Sequence, residues 1–530
     1  MRHWYFCLAV VLIVVTLLPY WYGFEKQTDT MQFSGSFLGV EDHNSYLAKM
    51  RNGYEGEWLF RTPYTSEPQR GILAFLPFIL IGKLAGGSDL HAQFLFYFQI
   101  LRIGSVFLYL YGLGKFYSHY IQNKYWLKVA LILCLFGGGL GWLYFLGLRG
   151  LWQNRIPLEF YSPEAFSFLA IFTLPHIIFA RAFFFLSLVA WLQQKAYKIG
   201  KININYISIS TIYAYLVYLF QPITFSILLL LIYLLTMGTI ILDFYTEKNQ
   251  KFFDLWIRRK QGFMDLAKFT LLIMPLILYN LYLLLFDPFV KAWTQQNILT
   301  SPPFFDYVLA YLPWILFSLL ALPKRAHWCE HRYLYWGVWI LGGIASVYLP
   351  LTIQRRFIEG IWVVMVLLAV KGIQRLPIKA TQHWLFRAGI GLSCLSTLFL
   401  WIGSFFQLGT LKAPVYVEKE HIALFEFLDT RFGTDDWVFA NHAISNQIPA
   451  WTKVNTVVGL GPESIGEPEI LQRYQAVLDN SLSSVDFGNF LMEKRVTAYV
   501  IELSFAANFP FCNEIYQNED FIVCLIGYDE

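Results

Sequence analysis

Apolar runs separated by short polar breaks follow one another from Trp4 to Gln407 and then stop. Most reach about 18 to 25 residues, enough for a helix rising about 1.5 Å per residue to cross a hydrocarbon core of about 30 Å. The pattern predicts spans over 4–22, 92–113, 128–147, 165–192, 206–220, 222–242, 268–286, 304–322, 333–350, 357–372 and 385–407. The run from Ile72 to Ala85 is barely 14 residues and is followed almost at once by the next one. It is expected to be a short, tilted or incompletely crossing helix, which leaves about eleven full spans, with twelve as the competing count.

Beyond Lys412 the periodicity changes. Ile422, Leu424, Phe425 and Leu428 have helical spacing within 419–432, and 437–440, 454–458, 496–501 and 521–526 are β-rich. Helical stretches over 467–480 and 484–494 separate them, which predicts a small α/β domain. The expected organisation is a mainly α, polytopic transmembrane bundle over 1–411 and an α/β domain over 412–530. Asn441 to Pro449, with Gly459, Gly461 and Pro462, is expected to be a loop-rich face that either closes over a site at the membrane or simply caps the bundle.

Composition agrees: 57% of the 530 residues are apolar, 19% aromatic and only 14% charged, against about 25% charged in a typical soluble domain. The formal charge of +4 hides a division, since 412–530 carry a net −11 and 1–411 a net +15. Basic clusters mark cytoplasmic loops. The clearest is Lys248, Lys251, Arg258, Arg259, Lys260 and Lys268. Lys195 with Lys198 and Lys201, Lys324 with Arg325 and Arg332, and Lys371 with Arg375, Lys379 and Arg387 follow the same rule, as do Lys115, Lys124 and Lys128. Even numbers of crossings between these loops put the N-terminus in the cytoplasm and the acidic tail outside. The run from Trp4 to Tyr22 starts like a signal peptide but lacks a small-x-small cleavage site, so a retained signal anchor is expected.

Several chemistries find no support. There is no Walker A sequence and no nucleotide-binding Gly-rich loop, which argues against an ATP-driven pump, and no nucleic-acid partner is expected. There is no HExxH, no His and Cys cluster and no calcium loop. Gly137, Gly138, Gly139 and Gly141 lie in an apolar run and read as close helix packing. Cys7, Cys134 and Cys394 sit in apolar runs as small hydrophobes, whereas Cys512 and Cys524 flank an expected hairpin and invite a disulfide.

The polar stretch 23–71 is long enough to need an explanation. It contains Glu41-Asp42 ahead of Tyr46-Leu47-Ala48, which suits a short amphipathic helix along the membrane surface ended by Gly53 and Gly56. Trp58, Phe60 and Tyr64 are expected to anchor the next segment at the interface. The bland role for Glu41 and Asp42 is to stabilise a helix N-terminus by about 1 kcal/mol.

These residues resemble the GT-C superfamily of glycosyltransferases, such as the protein O-mannosyltransferases and aminoarabinose transferases, multi-span enzymes that take sugars from polyprenyl-phosphate donors. Their first outer loop carries a catalytic Asp, often beside another acid and followed by a Tyr, and Asp42, Glu41 and Tyr46 stand at matching places. A Gly-x-Trp followed by an aromatic Pro-Tyr-Thr stretch is similar too. The resemblance implies that Asp42 is a general base for the acceptor hydroxyl, with Tyr46 and Glu41 as its supports. It also implies that Arg355 and Arg356 bind the donor phosphate, against plain snorkelling with pairing to Glu359. Some members use a divalent ion (Mg or Mn), which would lie between Asp42 and that phosphate; none is required by the sequence.

Arg102, and His176 with Arg181, either line a donor cavity or satisfy one another inside the bundle. Glu164, after Pro163, is a cavity candidate or a helix N-terminal acid acting on the dipole. The expected activity is transfer of a sugar from a polyprenyl-phosphate-linked donor to a glycan, lipid or protein at the outer face of the cytoplasmic membrane. The rival readings are a non-enzymatic lipid or polysaccharide transporter, for which internal repeats are missing, and a scaffold subunit of a cell-envelope glycan assembly system.

Overall fold

The computed structural model describes residues 2–194, 197–199, 202–246, 252–322, 331–376, 379–510 and 512–526. Lys195, Lys201, Lys248, Lys251, Lys324 and Arg325, used above for orientation, lie outside them.

The chain begins with α1 (Arg2–Lys26), β1 (Met31–Phe33), α2 (Val40–Tyr54), α3 (Leu76–Gly82), α4 (Leu90–Tyr120), α5 (Lys124–Phe136), α6 (Trp142–Phe145), α7 (Ser167–Thr173) and α8 (Pro175–Gln193). A hairpin of β2 (Tyr197–Ile199) and β3 (Ile202–Ile204) leads to α9 (Tyr206–Phe220), α10 (Pro222–Thr246), α11 (Phe252–Phe286) and α12 (Pro288–Gln296). There follow α13 (Phe304–Leu319), α14 (His331–Ser346), α15 (Ile361–Ile373) and α16 (Lys379–Gly409). The tail holds β4 (Tyr416–Glu418), α17 (Lys419–Arg431), β5 (Trp437–Phe439), α18 (His442–Trp451) and β6 (Asn455–Thr456). It ends with α19 (Glu467–Leu478), α20 (Ser484–Glu493), β7 (Val496–Glu502), β8 (Asn513–Gln517) and β9 (Phe521–Leu525).

Each of the eleven apolar runs carries a helix among the described residues: α1, α4, α5, α8, α9, α10, α11, α13, α14, α15 and α16. Six of them, α1, α4, α8, α10, α11 and α16, are long and apolar enough to cross a membrane. The other five span only 13 to 16 residues. The run 72–85 yields only α3, seven residues long.

Local breakers explain the shortening. The run 128–147 stops as a helix at Phe136 because the chain turns extended at Gly137. A Cβ on Gly139 would lie 1.9 Å from the Ala310 carbonyl oxygen, so the close packing expected of these glycines is present, but just past the helix end. The run 165–192 divides at Pro175, which opens α8 at a position where a missing N–H costs nothing.

The chain folds as two units, and the division falls inside α1, α4, α11 and α16. The first holds residues 1–16, 101–281 and 299–403, and the second 17–100, 282–298 and 404–530. The first is an all-helical bundle apart from the β2–β3 hairpin. Its interior contains the ion pair of Arg181 with Glu359, bonded through Nε (2.6 Å) and Nη2 (2.8 Å), and both side chains are buried. Two charged hydrogen bonds, with Arg181 also reaching the Pro163 carbonyl, make such burial tolerable.

The second unit joins α2, α3 and α12 to the tail. A five-stranded sheet has the order β6-β5-β7-β9-β8, with β6, β5 and β7 parallel and β7, β9 and β8 antiparallel. Both faces are covered. Tyr499 and Ile501 point to a core with α19 and α20, while Ala498 and Val500 point to one with α17 and α18. This period-two division of a central strand is why β7 reads as a continuous apolar run. A disulfide joins Cys512 to Cys524 across the β8–β9 hairpin. β1 pairs antiparallel with β4, which fastens the first polar stretch to the start of the tail.

Candidate functional site

The acid pair stands in the first turn of α2. Gly39, at φ 60°, turns the chain into the helix, and no side chain caps it. Glu41 and Asp42 are exposed, while every residue from His43 to Arg51 is buried. The expected amphipathic surface helix is therefore a buried helix with only its N-terminal acids showing. The cause is two glycines. A Cβ on Gly53 would lie 2.0 Å from the Ile79 carbonyl oxygen, and one on Gly82 would lie 1.9 Å from that of Met50, so α2 and α3 touch backbone to backbone. Gly53 thus serves packing and not termination; the chain leaves α2 after Tyr54 and turns at Gly56, φ 114°.

The aromatic anchors divide in the same way. Trp58 is exposed beneath Lys83, but Phe60 and Tyr64 are buried. Phe60 bridges to Ile72, and the Tyr64 hydroxyl donates to the Asn446 carbonyl at 3.0 Å. Tyr46 is buried as well, its ring stacked on Phe78 at 4.7 Å.

Side chains separated by roughly 400 residues hold α2 against the tail. Lys49, fully buried, donates to Glu463 Oε1 at 2.9 Å, and Thr62 donates to Glu463 Oε2 at 2.8 Å. Phe75, Phe60 and Tyr46 surround the ammonium, which places it over aromatic faces where a desolvated cation is stabilised. Asn44 donates to Asn446 Oδ1 at 2.8 Å, and Asn446 donates in turn to the carbonyls of Gly459 (2.8 Å) and Glu41 (3.2 Å). Arg51 reaches Asp429 at 2.6 Å.

Glu41 faces a residue that sequence reasoning passed over. His442 Nε2 lies 3.5 Å from Glu41 Oε1, and its Nδ1 lies 2.7 Å from Glu467 Oε1. Hydrogen bonds to Glu41 and Glu467 push the imidazole up to about 10, against the cost of burial, so it is a cation at neutral pH. The same contact holds the Glu41 carboxyl below its ordinary value. The segment 441–449, expected as loop, is mostly α18. Asn441 accepts from the Ile444 N–H at 3.0 Å as an N-cap, and Ile444 and Ile448 bury one helical face.

The remaining candidates lie in the first unit. Arg355 and Arg356 occupy a single helical turn, Gln354–Ile358. Arg356 Nε is 3.5 Å from the buried Glu164, and the Arg355 guanidinium lies over the Tyr161 ring at 4.9 Å. Glu359 is taken by Arg181, not by the arginine pair as expected for snorkelling. Glu164 lies in a turn ahead of α7, so its partner is Arg356 and not a helix N-terminus. Arg102 donates to Thr16 at 2.7 Å, and His176 is buried in the first turn of α8. A cavity of about 830 Å³, lined by Phe304, Tyr307, Tyr311, Trp336, Leu341 and Met365 among others, opens between α10, α13, α14 and α15. Its walls are almost wholly apolar.

The structure thus gathers Glu41, Asp42 and Tyr46 in one unit and Arg102, Glu164, His176, Arg355 and Arg356 in the other. A divalent ion beside Asp42 finds no prepared set of ligands: Glu41 is engaged by His442, and no three His, Cys, Asp or Glu side chains converge in metal-holding geometry among the described residues.

No family model matches the sequence, and no curated protein matches it by sequence search. Solved structures do match. The oligosaccharyltransferase of Archaeoglobus fulgidus tethered with an acceptor peptide is 10% identical, with 95% of this chain and 69% of that one covered and a TM-score of 0.50. Its apo form is 12% identical, with 95% and 70% covered and a TM-score of 0.51. ArnT from Cupriavidus metallidurans bound to undecaprenyl phosphate is 10% identical over 98% of both chains, with a TM-score of 0.47. The likeness to the oligosaccharyltransferase is one of fold: a bundle of apolar helices with a small C-terminal sheet domain.

Proposed function

We propose that this protein is a membrane glycosyltransferase of GT-C type, moving a sugar from a polyprenyl-phosphate-linked donor to a hydroxyl of a glycan, lipid or protein acceptor. The observation that carries the proposal is Asp42, a carboxylate exposed at the head of a helix that is otherwise locked into the fold. Asp42 takes the acceptor's proton while its oxygen forms the new bond to C1 of the sugar. The bond from C1 to the phosphate oxygen breaks in the same event, and the electron pair leaves on the lipid phosphate. General-base assistance of this kind contributes about 10²- to 10⁴-fold.

Arg355 and Arg356 are the proposed cations for the phosphate, since guanidinium forks suit phosphate oxygens. The apolar cavity between α10, α13, α14 and α15 suits the isoprenoid chain. The fold shared with an oligosaccharyltransferase supports the reaction class.

The proposed setting is the cytoplasmic membrane, with the N-terminus inside and the acidic tail outside. The charge asymmetry of the loops supports it. The hydrogen bonds between the first polar stretch and the tail add that these two segments share one side.

Asp42→Asn tests the base. It is expected to lower transfer by about 10²-fold or more, with the lipid-linked sugar accumulating in cells, while expression and thermal stability stay unchanged. Transfer at the wild-type rate by the folded variant would overturn the assignment.

A further inference from the structure

Two adjacent carboxylates stand in the first turn of α2. Glu41 is compensated in this structure by a group that no motif marks.

His442 is the first residue of α18, and the Asn441 cap fixes where that helix begins. Asn441 is itself tied to Glu502 at 2.8 Å. Glu467, the first residue of α19, is buried, and its Oε1 accepts from the Gly459 N–H at 2.9 Å as well as from His442 Nδ1 at 2.7 Å. Gly459, at φ 126°, lies so close to the backbone of α18 that a Cβ would fall 2.6 Å from the Asn446 nitrogen. The imidazole is therefore held from behind by rigid parts, and its Nε2 edge is turned to Glu41. Residue 41 is gripped twice, since its carbonyl also accepts from Asn446.

We propose that His442, oriented by Glu467, is a positioning residue that clamps Glu41 and so sets the first turn of α2, from which Asp42 projects. The proposal rests on Asp42 being the base. The charged groups that face the imidazole are Glu41, from α2, and Glu467, from α19. A histidine whose pKa is raised on folding contributes fully below its ordinary value of 6.5 and loses its contribution as pH rises through about 10. The clamp is thus closed throughout the neutral range, and weakening Glu467 should make it open there.

Hydrogen exchange of the full chain in detergent, followed on the peptide covering residues 40–47 from about pH 6 to 9 and expressed as protection factors, tests this. The wild type is expected to show flat protection. In His442→Gln the peptide should exchange roughly fivefold to tenfold faster at every pH, and in Glu467→Gln protection should fall as pH passes neutrality. Glu41→Gln removes the same contact from its exposed side and serves if His442→Gln does not fold. Unchanged protection in His442→Gln or Glu41→Gln, with a flat profile in Glu467→Gln, would overturn the clamp.

Transfer assays separate the two proposals. Activity surviving Asp42→Asn sinks the base and leaves the exchange result standing. Activity lost in Asp42→Asn but keeping its wild-type rate and pH profile in His442→Gln sinks the clamp alone.

Discussion

At the scale of single residues, the second unit depends on charges that sequence spacing does not pair. Lys49 and Glu463 form a fully buried ion pair with Thr62 as a third member. Removing one partner strands the other in a dry site, which typically costs about 3–5 kcal/mol, whereas replacing both by apolar groups is often close to neutral. Lys49→Met is therefore expected to destabilise the protein by about that amount, and Lys49→Met with Glu463→Met to recover most of it. Denaturation of the detergent-solubilised chain checks both, and a double variant no better than the single would show that the pair contributes more than its mutual compensation. The same kind of distant pairing explains what could not be read earlier. Glu359 looks like a partner for Arg355 or Arg356 because they are neighbours in sequence, yet Arg181 holds it with two hydrogen bonds. His442 carries no motif, and its meaning comes only from Glu41, 401 positions away, and from Glu467.

At the scale of elements, what was legible is what local chemistry decides. Apolar length alone predicts all eleven helices and the brevity of α3, and period-two or helical spacing predicts α17, β5, α19, α20, β7 and β9. Two elements were misread for physical reasons. Residues 441–449 are rich in Asn, Ser and Pro, which suit a loop and a capped helix equally well; the buried face of Ile444 and Ile448 decides for the helix. α2 has polar residues all round, so its sequence suggests a surface, but its polar side chains find partners in the tail. Its burial depends on Gly53. Gly53→Ala puts a methyl 2.0 Å from the Ile79 carbonyl, and α2 and α3 must separate to admit it. Overpacking of this kind costs typically about 1–3 kcal/mol. A clear fall in thermal stability is expected, with faster exchange in α3; a stability equal to the wild type would mean that the backbones part without loss.

At the scale of the whole molecule, the order in which the chain visits its two units constrains topology. The second unit takes residues 17–100, then 282–298, then 404–530. If it lies on one side of the membrane, the chain must cross an even number of times between visits. Between the first two visits stand α4, α5, α8, α9, α10 and α11, six apolar helices, and between the last two stand α13, α14, α15 and α16, four more. Counted as crossings, the ten make both counts even, and α1 adds one, which would put the N-terminus on the opposite side from the tail; α5, α9, α13, α14 and α15 would then have to cross with helices of 13 to 16 residues. α3, seven residues long, lies within the first visit, and a crossing there would put α2 and the start of α4 on opposite faces of the membrane. An N-terminus opposite the tail is the orientation expected from the basic loops, whose reading uses the same apolar runs. A reporter fused after Tyr120, at the end of α4, is therefore expected to read as cytoplasmic, and one fused within 154–163, between α5 and α8, as external. Labelling should agree: Cys512 and Cys524, joined within the proposed external tail, should resist maleimide until reduced, as an oxidising compartment requires. An external reading after Tyr120 would reject this assignment, since it would either turn Asp42 to the cytoplasm or demand a crossing at α3 that parts Asp42 from the tail.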